Sequence, residues 1–133
     1  MTEPDLLLDT DVLIEILRGK VEAAVWLAGL GQQVIGISVL VLMEILQGAR
    51  NRREQDTLVK QLDRYPLIVL EGDDSERALK WLKSYHLSHG VGIMDCLIAA
   101  SAVRLGKPLY TFNIKHYKVI PNLDGRVPYR RIS

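Results

Sequence analysis

Cysteine is nearly absent from this chain of 133 residues, which contains only Cys96. A single cysteine excludes an internal disulfide and is typical of a reducing compartment, so we expect the protein in the cytoplasm. Residues 1–5 contain no basic leader, and no long apolar segment follows them. The sequence therefore predicts no secretory signal.

Long apolar runs and an excess of one charge are also missing. No stretch approaches the roughly 20 apolar residues that a membrane-spanning helix needs, so we predict no contact with a membrane. The 17 basic and 16 acidic residues nearly cancel, so any contact with nucleic acid must come from a local patch. The length and the 48% hydrophobic composition predict a single globular domain over residues 1–133.

Short apolar runs alternate with segments that have helical periodicity and helix-capping residues. Continuously apolar runs are typical of parallel strands that are buried on both faces. The alternation predicts an α/β fold, a three-layer α/β/α sandwich around a central parallel sheet of four to five strands. Ligands bind at the carboxyl ends of the strands in such folds. The predicted strands are 6–8, 34–38, 66–70, 109–111 and a short fifth strand at 119–120.

Three lone acids stand in strongly apolar stretches from distant parts of the chain. Asp9 follows three leucines, Glu44 lies inside an apolar helix, and Asp95 precedes another apolar run. A buried carboxylate is costly to remove from water unless a cation or hydrogen-bond donors receive it. A shared divalent metal ion would receive all three carboxylates, so the pattern predicts a metal site.

Each acid also has a simpler explanation. Asp9 and Asp95 are both suited to cap a following helix, and capping alone would stabilise each helix by about 1 kcal/mol. Glu44 could instead pair with an arginine inside the protein. Asp11, in the first turn of a helix, suits the helix dipole and is at most an outer ligand of an ion.

Cationic residues near these acids are candidate phosphate contacts. The densest cluster directly follows the helix of Glu44, and a second group follows the predicted strand at 109–111. Exposed basic residues are most often only solvated, so this assignment depends on their proximity to the acids. The candidates are Arg50, Arg52, Arg53, Lys115 and His116.

Four ordered segments resemble the PIN-domain family and, within it, the VapC-type toxin ribonucleases. Residues 7–14 look like the family's first strand and acid, and residues 38–45 look like the helix that carries its glutamate. Residues 94–100 are similar to its Asp-x-Leu-Ile-Ala-Ala segment, the most specific of the four. Residues 111–117 resemble its last motif, with Asn113 where many members have a fourth acid and Tyr117 where phenylalanine is usual.

The resemblance implies a metal-dependent endoribonuclease that hydrolyses RNA with a water activated by Mg²⁺ or Mn²⁺. Asp9, Glu44 and Asp95 would hold the ion, with Asn113 as a weaker fourth member of the catalytic set. Thr10, Asp11 and Thr111 would orient ligands or water. The resemblance further implies an RNA substrate, a cognate antitoxin and a homodimer, and it gives Tyr117 a packing role.

Two other functions compete with this interpretation. The sequence of Asp9, Thr10 and Asp11 also matches the start of haloacid-dehalogenase-type phosphatases, in which the first Asp forms an aspartyl-phosphate. That scheme leaves Glu44 without a role. The alternative is a non-catalytic PIN-like module that binds RNA or protein, since Asn113 could weaken the metal site.

Overall fold

The computed structural model describes residues 3–131. Over this part of the chain, strands and helices alternate as the sequence predicted, and all strand pairs are parallel. The strands are β1 (Leu6–Leu8), β2 (Ile35–Ser38), β3 (Leu67–Ile68), β4 (Leu109–Tyr110) and β5 (Gly125–Arg126). The helices are α1 (Thr10–Leu17), α2 (Val21–Gly29), α3 (Val39–Gln47), α4 (Arg52–Leu62), α5 (Asp74–His89), α6 (Ile93–Leu105) and α7 (Ile114–Tyr117).

The strand order is β3–β2–β1–β4–β5, so β1 lies at the centre of the sheet. Leu7 pairs with Gly36 of β2 on one side and with Leu109 of β4 on the other. The three leucines of β1 are buried, as expected for a central parallel strand between helical layers. The fold is therefore the predicted α/β/α sandwich, and the end of its central strand places Asp9 at the sheet edge.

Two of the helices that matter for the site begin directly after a residue whose side chain caps them. Asp9 caps α1 by accepting a hydrogen bond from the amide of Thr10, and Ser38 caps α3 by accepting one from Leu40. Asp95 was a candidate cap for a helix that would begin at Cys96, and this predicted start is wrong. Gly92 is the N-cap of α6, and the helix begins at Ile93, so Asp95 lies inside its first turn.

The fifth strand is also not where the sequence predicted it. Val119 and Ile120 follow α7 in a turn, and Ile120 is buried there as a core residue rather than a strand residue. The observed β5 (Gly125–Arg126) pairs with β4 at the edge of the sheet. Its two residues, a glycine and an arginine, carry no apolar signal that the sequence could show.

Asp74, at the first position of α5, is a buried acid that received no role from the sequence. Its carboxylate is fully buried and receives the Nε of Arg104 at 3.0 Å from both oxygens. Ser101 and the amide of Glu71 donate to the same carboxylate. This ion pair joins the start of α5 to the end of α6.

Among residues 3–131, none of the helices combines the length and the apolar character required to cross a bilayer. The same part of the chain contains one free cysteine, Cys96, which is buried in α6. Burial and the nearby charge of Asp95 raise the pKa of its thiol to about 11. Cys96 is therefore an inert core residue.

Candidate active site at the carboxyl ends of β1 and β4

Asp9 lies at the carboxyl end of the central strand and is 8% exposed. One of its carboxylate oxygens accepts the amide of Thr10 at 2.9 Å. The other accepts the hydroxyl of Thr111 at 2.8 Å. Because β1 and β4 are neighbours in the sheet, residues that follow these two strands meet at the same edge. The sheet therefore brings together Asp9 and Thr111, which are 102 residues apart in sequence.

Burial, and to a smaller extent the negative charge of Asp11, together raise the pKa of Asp9 to about 6. Hydrogen bonds from Thr111 and Thr10 lower the pKa but do not offset these two effects. In the described part of the chain, no lysine or arginine forms an ion pair with Asp9. Asp9 is therefore a buried acid whose partners are neutral donors only.

Asp95 occupies the third position of α6, and its side chain is 23% exposed. It accepts the amide of Gly92 at 3.0 Å, which satisfies one donor at the start of the helix. The ring of His116 lies 3.7 Å away, measured from Nδ1 to a carboxylate oxygen. Asp95 is thus not the N-cap that the sequence allowed; it accepts the N-cap amide from inside the first turn, and part of its carboxylate stays accessible.

Tyr117, the last residue of α7, carries a buried hydroxyl in the region of Asp9 and Asp95. Its side chain is 2% exposed, and its hydroxyl is buried without a hydrogen-bond partner among the described residues. Burial first, and then the charges of Asp9 and Asp95, raise the pKa of this hydroxyl. Both carboxylates are therefore close to one phenol oxygen, although neither meets hydrogen-bond geometry.

Glu44 is half-buried in α3, and its carboxylate accepts the hydroxyl of Thr10 at 2.9 Å. Because Thr10 directly follows Asp9 in the sequence, this hydrogen bond ties Glu44 to the Asp9 segment. Glu44 also borders a groove of about 340 Å³ together with Arg18 and Glu54. Within residues 3–131, no arginine or lysine forms an ion pair with Glu44, so the alternative of a buried arginine partner is not observed.

Asn113 lies between β4 and α7 and joins Thr111 to His116. Its backbone amide donates to the Thr111 hydroxyl at 2.9 Å. Its side-chain amide contacts the Nδ1 of His116 at 2.7 Å. Because Thr111 also contacts Asp9 and His116 approaches Asp95, Asn113 belongs to the same polar network.

Asp11 points back to the sheet edge, where one carboxylate oxygen accepts the amide of Phe112 at 3.1 Å. Its other oxygen is buried and has no partner among the residues that the structure describes. Burial raises the pKa of Asp11, which the Phe112 and Val12 amides and the charge of Arg131 partly offset. This second acid therefore adds negative charge beside Asp9.

The candidate phosphate contacts fall into two groups. Lys115 and His116 lie on α7, which follows Asn113, and the His116 ring is 3.7 Å from Asp95. The other group lies at the start of α4, where Arg50 pairs with Glu54 at 3.1 Å and its side chain is 85% exposed. Arg52 and Arg53 are exposed on the same helix, and Glu54 shares the groove with Glu44.

The acids provide oxygen donors of the type that Mg²⁺ and Mn²⁺ prefer. Within the described range, however, no three His, Cys, Asp or Glu side chains are arranged to hold an ion together. Asp9 accepts Thr10 and Thr111, Asp95 accepts the Gly92 amide, and Glu44 accepts the Thr10 hydroxyl. The carboxylates of Asp9, Glu44 and Asp95 offer the oxygen chemistry that a divalent ion prefers, but their described positions do not bring three of them together.

Sequence reasoning missed two contributors to this region. Tyr117 was assigned to packing, although the tyrosine at a position where phenylalanine is usual was a signal for the buried hydroxyl. Arg131 stacks over the Phe112 ring at 4.1 Å and lowers the pKa of Asp11. No pattern in the sequence connects this terminal arginine to the first strand.

Comparisons with known proteins agree with this geometry. The chain is 32% identical over 121 residues to ribonuclease VapC19 of Mycobacterium tuberculosis, an alignment that covers 89% of this chain and 96% of that protein. It is 31% identical over 129 residues to ribonuclease VapC of Rickettsia bellii, covering 90% and 92%.

A toxin–antitoxin complex from Klebsiella pneumoniae contains a chain of similar structure. The TM-score is 0.77 at 25% identity, with 95% of this chain and 99% of that chain covered. Residues 6–120 match the sequence profile of the family described as PIN domain, a segment that contains all the acids of the site. The chain belongs to the PIN-domain family.

Proposed function

We propose that this protein is a metal-dependent endoribonuclease and the toxin of a toxin–antitoxin pair, with Asp9, Glu44 and Asp95 as its metal-binding acids. The observation that carries the proposal is Asp9, a buried carboxylate at the end of the central strand that has only neutral donors and lies beside Asp11. Similarity to VapC ribonucleases and to a toxin–antitoxin complex supports the same activity. RNA is the proposed substrate, and an antitoxin protein and a second copy of the chain are the proposed partners.

A divalent ion, with Mg²⁺ or Mn²⁺ as our candidates, supplies a Lewis acid that polarises phosphate and activates water. The residues of the chain contribute binding and orientation. Thr111 holds the Asp9 carboxylate in place, and Asn113 in turn holds Thr111 through its backbone amide. Thr10 positions Glu44, so two threonine side chains and the Asn113 backbone amide hold Asp9 and Glu44 before an ion enters.

Charged side chains at the rim would guide the RNA backbone. Lys115 is exposed and His116 is half-exposed on α7, beside Asp95. Arg50, Arg52 and Arg53 follow α3 around the start of α4, the helix whose Glu54 lines the groove that Glu44 borders. Their charges would offset phosphate repulsion by the acids, which is needed because the net charge of the chain is only +1.

The decisive experiment incubates the purified protein with total RNA in the presence of Mg²⁺ or Mn²⁺, with and without EDTA, and maps the fragment ends. We expect cleavage at defined positions that EDTA abolishes. The variant Asp95→Asn should lose about 10³-fold or more in cleavage rate, because a metal ion supplies several kcal/mol to the reaction. Asp56→Asn, an exposed carboxylate on α4, is the matched control and should cleave normally.

Other outcomes would contradict the proposal. Cleavage that persists in EDTA or in Asp95→Asn would remove the ion or this acid from the reaction. Calorimetric titration with Mn²⁺ that shows no saturable binding, together with unchanged RNA binding in EDTA, would indicate a non-catalytic module. A phosphate trapped on Asp9 would support the phosphatase, for which Asp11 would have to release the Phe112 amide.

A further inference from the structure

Segment 127–131, which follows β5, returns across the molecule to the first helix. The hydroxyl of Tyr129 donates to one carboxylate oxygen of Glu15 in α1 at 2.6 Å, and Nη1 of Arg131 lies 3.5 Å from the other oxygen. The Glu15 side chain is only 14% exposed, so these two donors replace part of the water that its charge has lost. The contacts join residues 114 and 116 positions apart in the sequence.

The same two side chains also cover Phe112, which lies in the turn between β4 and α7 (residues 111–113). The Tyr129 ring meets the Phe112 ring edge-on, with centroids 5.1 Å apart. The guanidinium carbon of Arg131 lies 4.1 Å from the centroid of the Phe112 ring. Both distances are in the range of favourable aromatic and cation–π contacts. Phe112 therefore packs against two side chains whose polar ends are both bound to Glu15.

Phe112 is also bound to α1 through its backbone. Its amide donates to Oδ2 of Asp11 at 3.1 Å, and Asp11 lies one turn before Glu15 on the same helix. The turn is thus tied to one helix by two separate routes. One route is the direct amide bond, and the other runs from the ring through segment 127–131 to Glu15.

The neighbours of Phe112 in the chain hold the acid at the end of the central strand. The Thr111 hydroxyl donates to Asp9 at 2.8 Å, and the Asn113 amide donates to the same hydroxyl oxygen at 2.9 Å. A shift of the turn that carries these residues would change both hydrogen bonds. The position of Phe112 therefore affects the orientation of the Asp9 carboxylate.

We propose that Tyr129 and Arg131 are positioning residues that clamp the turn between β4 and α7 to α1 and so fix the orientation of Asp9. The value of that orientation for RNA cleavage rests on the proposed function, whereas the clamp itself does not. The competing role for Arg131, whose side chain is 51% exposed, is direct contact with an RNA phosphate.

The first measurement is amide hydrogen exchange, followed by NMR on the full chain in EDTA, and it does not depend on the proposed function. Tyr129→Phe removes the hydroxyl that binds Glu15 and keeps a ring of the same shape. Opening of the turn should then break fewer contacts, so the Phe112 amide should exchange about tenfold faster. The Glu54 amide, bonded to the cap of α4, should exchange as in wild type.

A comparison with the central strand separates this effect from a general loss of stability. In wild type the Phe112 amide should exchange faster than the Leu7 amide, which donates to Pro108 between the central strands. The turn then opens without unfolding of the sheet. A contact that served only overall stability would accelerate the Leu7 amide and leave the Phe112 amide unchanged.

Further variants test the route through Glu15. Arg131→Ala should accelerate the Phe112 amide in the same way. Arg130→Ala, at the adjacent exposed arginine, is the matched control and should leave that amide unchanged. Glu15→Ala should also accelerate it, and adding Tyr129→Phe to Glu15→Ala should change the rate by less than about twofold, because the hydroxyl has already lost its acceptor.

The second measurement rests on the proposed function and uses a short RNA that carries a cleavage site mapped in total RNA. Arg131→Ala should lower kcat about fivefold and leave KM within about twofold of wild type, because a misoriented Asp9 affects the reaction and not RNA binding. Arg130→Ala should leave kcat unchanged. A phosphate contact by Arg131 would instead raise KM and reduce the salt slope of binding by about 1, and that result would overturn its positioning role.

The two measurements separate failure of this inference from failure of the proposed function. An unchanged Phe112 exchange rate in Tyr129→Phe and Arg131→Ala overturns the clamp, as do equal wild-type rates for the Phe112 and Leu7 amides. Accelerated exchange with an unchanged kcat overturns the link between the clamp and the site. If wild type cleaves no RNA, the proposed function is wrong, while the exchange data still decide whether segment 127–131 holds the turn.

Discussion

Two buried acids in this protein, Asp74 and Asp9, have opposite surroundings. Asp74 is fully buried and receives Arg104, a serine hydroxyl and a backbone amide. Asp9 is nearly as buried but receives only a threonine hydroxyl and a backbone amide, and Asp11 lies close enough to raise its pKa. One carboxylate has a cation supplied by the chain and the other does not.

The difference separates a structural acid from a functional one. Removing a charge from water is tolerated when an opposite charge and hydrogen bonds replace the water, as they do at Asp74. At Asp9 the replacement is incomplete, and perturbed groups of this kind concentrate at binding and catalytic sites. Burial of an acid is therefore a weak signal of function, whereas burial without a cationic partner is a stronger one.

The largest expected effect tests the structural half of the comparison. Arg104→Ala should reduce the free energy of unfolding by about 3–5 kcal/mol, because it leaves the buried Asp74 carboxylate without its cation. Chemical denaturation measures this loss. Arg50→Ala, which breaks an exposed ion pair with Glu54, is the control and should cost less than about 1 kcal/mol. Equal losses would mean that the pairing of Asp74 has no special importance.

The second prediction concerns the other acid. Asp9→Asn should raise the free energy of unfolding in EDTA at neutral pH by about 2–3 kcal/mol, because it removes a buried charge whose pKa lies near 6 instead of 3.8. Denaturation in EDTA measures the gain, and the exposed Asp56→Asn should change little. A loss of stability would show that the Asp9 carboxylate is well paired after all.

The third prediction follows from the same pKa and its sign. The folded protein holds the Asp9 proton more tightly than the unfolded chain, so this group favours folding below pH 4 and loses that contribution as the pH rises through 6. In EDTA, the stability of wild type relative to Asp9→Asn should therefore fall between about pH 4 and pH 7 and then level off. A relative stability that rises over this range would reverse the assigned shift.

The smallest expected effect sharpens the contrast at Asn113. Asn113→Asp adds a carboxylate beside the network of Thr111 and His116, and should tighten Mn²⁺ binding by about tenfold. Calorimetry measures the change. Asn51→Asp makes the same substitution at the exposed cap of α4 and should leave Mn²⁺ affinity unchanged. Unaltered affinity in Asn113→Asp would place residue 113 outside the ion's reach.

Most of the fold could be predicted because its signals are local. The apolar run of Leu6–Leu8 predicts the central strand, and Ser38 and Gly48 mark both ends of α3. The edge strand Gly125–Arg126 could not be predicted, because it has no apolar face and its position depends on pairing with β4. The start of α6 was misplaced because Gly92, without a side chain to cap the helix, gives a weaker signal than Asp95.

The site could be predicted only as a set of candidates. The sequence identified Asp9, Glu44 and Asp95 as lone acids in apolar stretches, but local patterns cannot give distances between them. Their arrangement depends on strand order and on the short helix α7, which the sequence did not indicate. The burial of Tyr117 follows from that helix, so its hydroxyl, which has no hydrogen-bond partner among the described residues, became visible only in three dimensions.

Asp9 is joined directly to the innermost strand, and this attachment affects how the site moves. The amides of Leu7 and Asp9 are bonded to carbonyls of the neighbouring β4 region, in the part of a protein that opens last in hydrogen exchange. Asp9 therefore directly follows β1, the strand that we expect to open last, while Lys115 and His116 lie on a helix of one turn. Local unfolding would release the residues that approach the substrate long before it disturbs the group at the centre.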